Sequence, residues 1–321
     1  MIELDALMHF TTIGLSIALN SLGAGIGEGI VGYAALKASN RQPQAHGDIV
    51  RLALIGTALI ETTAIIGIFV AFMLLLGKYP SHYQGIAQLG IAFAICLSGF
   101  IVGIVSALPI QEAVDAIARQ PFFAQKILGF TIITQALIQT PVIVGFIIAL
   151  IINAQVPFAH CLADALRLIS SGLCIGLAGI GPAIGLAIFA QTACHTIARY
   201  PTLYRNLLSF TLISQTLVET PVIFAFLVSL MILFFVPRLH EEQLIAGIAT
   251  IAAALCTGFG TFGVGISSGN TAGYACKAIA SNTSLQNIIS RISLFAQALI
   301  ETSVIYAVLI SMSLLFIAQR L

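Results

Sequence analysis

Long apolar stretches alternate with short polar breaks along the whole chain. Eight stretches reach membrane-spanning length, at residues 8–37, 50–77, 85–117, 125–154, 164–197, 205–236, 243–279 and 288–318. A span needs about 20 apolar residues, so each stretch can cross a bilayer and several can project beyond it. Helices satisfy the backbone polar groups that lipid cannot. The pattern therefore predicts an all-α membrane protein with eight transmembrane helices.

The composition excludes a soluble globular protein. Of all residues, 59% are hydrophobic and 8% are charged, and the mean hydropathy is +1.06, well outside soluble norms. The first residues, Met-Ile-Glu-Leu-Asp, form no positive region and no clear cleavage site, so we expect no cleaved signal peptide. The six cysteines lack metal or disulfide spacing and are expected to be small buried hydrophobes.

One polar side chain recurs in the middle of every second apolar stretch. The positions are Glu61, Gln139, Glu219 and Glu301, spaced 78, 80 and 82 residues apart, and a threonine follows each. An ionisable residue in an apolar membrane helix costs about 2.5–3.5 kcal/mol and is a functional-site hypothesis by default. A carboxylate facing lipid must be neutralised by a proton or by a cation with further oxygen ligands. The pattern predicts ion-binding sites at Glu61, Glu219 and Glu301, and a degenerate site at Gln139.

A similar polar loop precedes each of these positions by 20 residues. The loops have Arg41, Arg119, Arg199 and Ser281 at matching places, and the first two read Arg-Gln-Pro. At about 1.5 Å per residue, this spacing puts the polar position near mid-bilayer. We therefore predict four tandem helical hairpins of one orientation, at residues 1–80, 81–158, 159–240 and 241–321. Polar linkers are expected near residues 78–85, 155–164 and 237–243.

Basic residues are concentrated on the side of the hairpin loops. Nine lysines and arginines lie on that side, and four lie on the opposite side. Cytoplasmic segments of membrane proteins carry an excess of lysine and arginine. The hairpin loops are therefore predicted to be cytoplasmic, with both termini on the other side of the membrane.

The first helix of each hairpin carries a run of small residues. The first span has glycine at every second position from Gly23 to Gly29. The aligned positions are also small in the third and fourth hairpins, whereas the second hairpin keeps only Gly103 and Ala107. Small residues let membrane helices approach closely. The pattern predicts a tight inner ring of first helices.

Hairpin one combines Gly-Ala-Gly-Ile-Gly-Glu-Gly, Ala-Ser-Asn-Arg-Gln-Pro and Ala-Leu-Ile-Glu-Thr-Thr. Together these motifs resemble the c subunit, or proteolipid, of F-type rotary ATP synthases. That family is normally a single hairpin, and here the resemblance covers essentially the whole chain, four times over. It implies a ring with first helices inside and carboxylate-bearing second helices outside. Such a ring carries ions past the stator a subunit while it turns.

The resemblance also implies partners and a location. Copies of this chain would close the ring within the lipid of the cell inner (plasma) membrane, and no nucleic-acid partner is expected. The hairpin loops would contact central-stalk subunits of gamma and epsilon type. The residues expected at that contact are Arg41, Gln42, Pro43, Arg119, Gln120, Pro121 and Arg199. On its own the chain would be a non-catalytic rotor subunit without a cofactor, and it contains no Walker-type phosphate loop.

Two alternative functions remain open on the sequence. Fused hairpins with fewer carboxylates than hairpins also resemble the proteolipids of V-type pumps, although the loop sequence favours the F-type side. A secondary transporter built from repeats is the second alternative. Such proteins often have inverted repeats, broken helices and one central site, whereas this chain has parallel two-helix repeats with a separate site in each.

The transported ion is predicted to be a proton, with sodium as the alternative. Sodium-binding members of the family have Ser or Thr after the carboxylate, Gln in the first helix and Tyr five residues after the carboxylate. The residues of this chain that match or could replace those ligands are Glu28, Thr62, Thr220, Ser268, Thr302 and Tyr306. Hairpin three has Leu186 and Phe224 at two of these places, which a hard cation would not favour. Glu28 is either a second ion ligand or a structural carboxyl.

Gln139 is expected to make hairpin two silent in transport, because an amide does not bind and release a proton. Each ion moved is worth about 2.3 kcal/mol per 100 mV, so fewer ions per turn favour pumping over ATP synthesis.

Pro141 and Pro221 follow two residues after Gln139 and Glu219. Proline removes a helical hydrogen bond, so these residues either bend an outer helix harmlessly or tune access to the site.

Overall fold

The computed structural model describes residues 2–77, 80, 83–234 and 243–320, and every regular element within them is helical. Eight helical stretches are long and apolar enough to cross a membrane, which confirms the predicted all-α membrane fold. The helices are α1 (Ile2–Arg41), α2 (His46–Leu75), α3 (Gln84–Val105), α4 (Ala107–Arg119), α5 (Ala124–Ile138), α6 (Thr140–Gln155), α7 (Leu162–Ala178), α8 (Ile180–Arg199), α9 (Tyr204–Leu233), α10 (Gln243–Ser281) and α11 (Gln286–Arg320).

The four hairpin loops share one backbone shape. In each loop one residue leaves the helical region and a single 3₁₀ turn follows, as at Pro43–Ala45 and Pro121–Phe123. Proline fixes φ near the helical value and lacks the N–H that would be unpaired at this position. The fourth loop has the same shape at Thr283–Leu285 without a proline, after Asn282 with φ −135° and ψ 77°. The shape therefore does not depend on Pro43 or its counterparts.

Three of the predicted spans are interrupted, although the apolar pattern indicated continuous helices. The interruptions are at Ser106, Gln139 and Gly179, between α3 and α4, α5 and α6, and α7 and α8. Pro109, Pro141 and Pro182 follow these points by two or three residues, and each lacks the N–H that would bond the carbonyl four residues earlier. Pro221 has the same effect on its own helix, but α9 continues through it.

The helices form two rows. The first helices of consecutive hairpins (α1, α3–α4, α7–α8 and α10) pack side by side in chain order and form the inner row. The second helices (α2, α5–α6, α9 and α11) form the outer row, and α2, α5–α6 and α9 also contact the inner helix of the following hairpin. Each of these outer helices therefore lies over the groove between two inner helices, so residues of consecutive hairpins meet.

Glycines set the close spacing of the inner row. A Cβ on Gly27 would overlap the carbonyl oxygen of Gly103, and a Cβ on Gly185 would overlap that of Gly265. Gly90 and Gly172 make a similar close approach between α3 and α7. The predicted role of the small residues in helix packing is therefore visible at the backbone level.

The predicted linker 237–243 lies outside the described residues except for residue 243, and half of the linker 78–85 does. Lys78 and Arg238 from the charge count also lie outside them. The third, near 155–164, contains the 3₁₀ turn Val156–Phe158 and the first residues of α7. The hairpin boundaries given above remain predictions. The outer surface carries many exposed apolar side chains, such as Leu54, Phe72 and Ile292, as expected of helices that face lipid.

Candidate ion sites between consecutive hairpins

The carboxyl of Glu301 meets a residue of the preceding hairpin. Its Oε1 atom lies 2.7 Å from the Thr220 hydroxyl oxygen. Glu301 is on α11 and Thr220 is on α9, so the contact joins the outer helices of hairpins four and three. Thr220 was predicted to support an ion site, and here it contacts the carboxyl of the next hairpin.

The same arrangement occurs one hairpin earlier. The side chain of Glu219 on α9 is hydrogen-bonded by Thr140, the first residue of α6. Glu219 and Glu301 are both half-buried. The same carboxyl–threonine contact therefore occurs twice in the described residues, each time between two consecutive hairpins.

Gln139 occupies the corresponding position between hairpins one and two. Its side-chain nitrogen donates to the backbone carbonyl of Leu59, at 3.0 Å, and lies 3.4 Å from the hydroxyl of Ser106. The residue is 7% exposed. An amide N–H and a protonated carboxyl can both donate to a carbonyl oxygen. The position is thus filled by a side chain that donates in the way a protonated glutamic acid would.

Within the described residues, no threonine hydroxyl is hydrogen-bonded to the carboxyl of Glu61 on α2. Its side chain is exposed. Thr302 lies at the opposite end of the row, and its hydroxyl bonds the Leu299 carbonyl at 2.7 Å. Glu28 on α1 is close enough to Glu61 to interact with it electrostatically. Glu61 and Thr302 therefore lie at opposite ends of the described row of hairpins.

Glutamines one turn before the key positions form a polar layer behind the sites. Gln135 donates to the Ser106 carbonyl at 2.6 Å. Gln297 lies 3.1 Å from the Ser293 hydroxyl, 3.3 Å from that of Ser214 and 3.4 Å from that of Ser268. Ser268 was predicted to support the fourth site, and it reaches Gln297 rather than Glu301.

Gln215 is the third member of this layer, and its two side-chain polar atoms are buried without a hydrogen-bond partner. The aligned serine is replaced there by Leu186, which removes a possible partner.

The other predicted supporting residues lie near the sites without closing them. Tyr306 is 65% exposed on α11, and within the described residues no hydrogen bond joins it to Glu301. The Thr62 hydroxyl bonds the Leu59 carbonyl at 2.7 Å, the same oxygen that accepts from Gln139. No three His, Cys, Asp or Glu side chains gather into a metal-binding group in the part of the chain that the structure describes.

In the part of the chain that the structure describes, two ion pairs lie near the hairpin loops, on α1 and α4. Arg41 Nη1 lies 3.4 Å from the Asp115 carboxylate of the second hairpin, and Arg119 Nη2 lies 3.1 Å from that of Glu112. Both arginines are at least one-third exposed, so each pair contributes little to stability. Their remaining surface is accessible from the end of the molecule where the loops lie.

A family model supplies an independent comparison. The model of the ATP synthase C subunit matches residues 11–74, 89–152, 169–232 and 251–314. The four matches cover most of the chain, and each contains one of the key positions. The family is a non-catalytic rotor component, and ion translocation by its members follows from that role. The chain is a multi-pass membrane protein that belongs to the family of ATP synthase C subunits, with the family unit present four times in tandem.

Proposed function

We propose that the chain is the ion-carrying rotor subunit of an F-type ATP synthase or ATPase. Its carboxyls Glu61, Glu219 and Glu301 carry protons, with sodium as the alternative ion. The observation that carries the proposal is the contact between Thr220 and Glu301 across two hairpins, which recurs between Thr140 and Glu219. A carboxyl between neighbouring outer helices lies near the lipid-facing surface, where a proton can neutralise it. There it can also meet the stator a subunit as the ring turns.

The chemistry of these sites favours an exchangeable proton. A threonine hydroxyl can donate to a carboxylate or accept from a protonated carboxyl, so it serves both states. A hard cation requires several oxygen ligands together, and the hairpin-three residues Leu186 and Phe224 offer none from their side chains. Within the described residues, no cationic side chain lies next to the carboxyls of Glu219 and Glu301 to favour their ionised form. That cation would come from the stator a subunit.

The two ends of the inner row support a ring of identical chains. Inside the chain, Gly23 and Gly181 face forward onto the next inner helix, and Gly103 and Gly265 face backward. On α1, the first helix of the row, a Cβ on the backward-facing Gly25 would have no neighbouring atom within 4 Å. On α10, the last helix of the row, the same is true of the forward-facing Gly263. Joining these ends repeats the internal contact, which produces a head-to-tail assembly that closes if the rotation closes.

The same joint would complete the remaining site. Thr302 of one copy would stand before Glu61 of the next copy, as Thr220 stands before Glu301. Glu28 would then be covered as well, because the aligned Ser106 and Ser268 are buried inside the chain. Each chain would contribute three carboxyl sites, two internal and one shared between copies.

The proposed partners follow from the ends of the hairpins. The loop residues of the first three hairpins, among them Arg41, Arg119 and Arg199, would contact central-stalk subunits of gamma and epsilon type. The excess of basic residues on this side supports a cytoplasmic location of the loops. The proposed membrane is the cell inner (plasma) membrane.

A V-type-like pump is the second candidate function, favoured by the single observation that Gln139 replaces one carboxylate in four.

Labelling with an apolar carbodiimide tests the proposal, because this reagent modifies protonated carboxyls in lipid-facing sites. We expect Glu61, Glu219 and Glu301 to be labelled in the purified ring and no residue of hairpin two to react. The measurement is mass spectrometry of the labelled peptides. A matched variant, Glu301→Gln, should lose label at that position and keep it at the other two.

Three outcomes would contradict parts of the proposal. Unreactive carboxyls in an assembled ring would exclude the carrier role. Strong protection by sodium at constant pH would replace the proton by sodium and would make Glu28 a candidate ligand. A transporter that is a single chain in detergent, without a ring of higher mass, would support the repeat-built secondary transporter instead.

A further inference from the structure

The prolines after two of the key positions remove a hydrogen bond from one particular carbonyl. In an α-helix the carbonyl of residue i accepts the N–H of residue i+4. Pro221 has no N–H, so the Leu217 carbonyl has no helical donor, and Pro141 does the same to the Leu137 carbonyl. These carbonyls lie two residues before Glu219 and Gln139. The aligned carbonyl in hairpin one, that of Leu59, is the one that accepts the Gln139 amide.

The Thr220 hydroxyl lies between the Leu217 carbonyl and the carboxyl of the next hairpin. It is hydrogen-bonded to the Leu217 oxygen and lies 2.7 Å from Glu301 Oε1. A hydroxyl has one hydrogen to donate and can accept through its oxygen. Thr220 can therefore donate to only one of these two oxygens at a time.

The protonation state of Glu301 decides which oxygen receives that hydrogen. When Glu301 is protonated, its O–H can donate to the Thr220 oxygen, and Thr220 donates to the Leu217 carbonyl, so all three groups are paired. When Glu301 is ionised, the Thr220 hydrogen is attracted to the carboxylate, and the Leu217 carbonyl loses its donor. An unpaired carbonyl away from water is unfavourable. The missing N–H of Pro221 thus disfavours the ionised state.

The outer helices of hairpins one and four lack this feature. Thr63 and Ser303 occupy the positions of Pro141 and Pro221, and each has a backbone N–H for the Leu59 or Leu299 carbonyl. If Thr62 or Thr302 donates to a neighbouring carboxylate, the Leu59 or Leu299 carbonyl therefore still has its backbone N–H donor. The outer helix of hairpin one, α2, faces Gln139. The outer helix of hairpin four, α11, would face Glu61 of the next copy in a ring.

We propose that Pro141 and Pro221 are positioning residues that divide the carboxyls into two classes, with Glu219 and Glu301 retaining the proton more tightly than Glu61. This inference rests on the proposed carrier function. The prolines touch neither the ion nor the reacting carboxyl. They act through the Leu137 and Leu217 carbonyls and through the hydroxyls of Thr140 and Thr220.

The other ionisable groups on the surrounding helices are the same in the wild type and in a Pro221 variant. Glu219 is the neighbouring acidic group, one residue before Thr220, and Arg205, Lys277 and Arg291 lie towards the hairpin loops, more than two helical turns from Glu301. Among the described side chains, the ionisable groups on the helices packed around Glu219 and Glu301 are Lys126, Asp164, Arg167, Cys174, Cys194, His195, Arg199, Tyr204, Arg205, Glu219, Cys256, Tyr274, Cys276, Lys277, Arg291, Glu301 and Tyr306. A proline-to-alanine change alters none of these groups.

The test measures the titration of one carboxyl at a time in the assembled ring. Rings with Glu61→Gln and Glu219→Gln retain Glu301, whose protonated-carboxyl infrared band is followed against pH. We expect Pro221→Ala to supply the N–H and to lower the midpoint by about one pH unit, corresponding to about tenfold more protons for half-occupancy. Pro141→Ala is the matched control. Pro141 acts through Thr140 on Glu219, so this change should leave the Glu301 midpoint unchanged.

Two further variants separate the proposed role from a structural one. Thr220→Ser keeps the hydroxyl and should retain the effect of Pro221, whereas Thr220→Val should abolish it. Ser303→Pro should raise the midpoint of Glu61 in rings with Glu219→Gln and Glu301→Gln, because it removes the N–H facing that site in the next copy.

The inference is overturned if Pro221→Ala leaves the Glu301 midpoint unchanged, or if Pro141→Ala moves it equally. If Pro221→Ala rings do not assemble, Ser303→Pro decides, and an unchanged Glu61 midpoint overturns the inference. Wild-type rings with carboxyls that never take up protons would contradict the carrier function itself, which is a different result.

Discussion

Replacing Gly25 by leucine is expected to leave the chain folded and to abolish the ring. A Cβ at Gly25 has no neighbouring atom within 4 Å inside the chain, so the side chain causes no internal clash. The aligned Gly103 and Gly265 face the backbone of Gly23 and Gly181 closely enough for a Cβ to overlap it. In a joint between copies of the same geometry, leucine at Gly25 would overlap the Gly263 backbone of its neighbour.

The expected change is complete loss of the high-mass species, measured by native mass spectrometry or light scattering in detergent. The helical content measured by circular dichroism should not change. Gly129→Leu is the matched control, because Gly129 on α5 is also without neighbours within 4 Å and lies in the outer row. A ring that forms normally with leucine at Gly25 would show that copies do not meet through this face.

Replacing Gln139 by glutamate is expected to create a fourth carboxyl site. The Gln139 amide donates to the Leu59 carbonyl and approaches the Ser106 hydroxyl, and a protonated carboxyl can make the same two contacts. The chain would then carry four ions per passage instead of three. The free energy per turn scales with the number of ions carried, so the smallest ion-motive force that supports ATP synthesis should fall by about a quarter.

The measurement uses reconstituted vesicles of the whole complex at a fixed phosphorylation potential. Gln139→Leu controls for the lost amide contacts, and Gln135→Glu controls for a carboxyl that is buried one turn away. An unchanged threshold with an intact ring would show that the new carboxyl is closed to ions. Loss of the ring in Gln139→Leu and in Gln139→Glu would identify the amide as a packing element that a carboxyl does not replace.

That each key residue lies on the second helix of its hairpin could be predicted from the sequence, because the repeat keeps it at a fixed distance from the loop. The pairing of each carboxyl could not. Thr220 stands next to Glu219 in the sequence, yet its hydroxyl contacts Glu301 of the following hairpin. Which neighbour a side chain on the outer row meets depends on how the row packs, and the repeat alone does not contain that information.

The glycine run illustrates the same limit. Its two-residue period predicts one close-packing surface, whereas the packed helices use it as two. Gly23 and Gly27 face the next inner helix, whereas Gly103 and Gly265, aligned with Gly25, face the previous one. Alternate positions of one helix fall on different faces, and only the packed row reveals which face each pair serves.

The helix interruptions were the least predictable feature. Pro141 was expected to bend its helix, and α5 ends just before it. Pro109 and Pro182 interrupt inner helices that the apolar pattern made continuous, whereas Pro221 interrupts nothing. A proline always removes one hydrogen bond. Whether the helix breaks depends on whether its neighbours hold the flanking residues in line.

Gln139 makes the spacing of the carboxyls around a closed ring of these chains uneven. Successive carboxyls are separated by one hairpin from Glu219 to Glu301, by one hairpin from Glu301 to Glu61 of the next copy, and by two hairpins from Glu61 to Glu219. The rotational symmetry of such a rotor is set by the number of chains and not by the number of hairpins. Its torque would therefore repeat once per chain, with one angular interval in three twice as wide as the others. Elastic deformation of the stalk would have to carry the rotation across each wide interval.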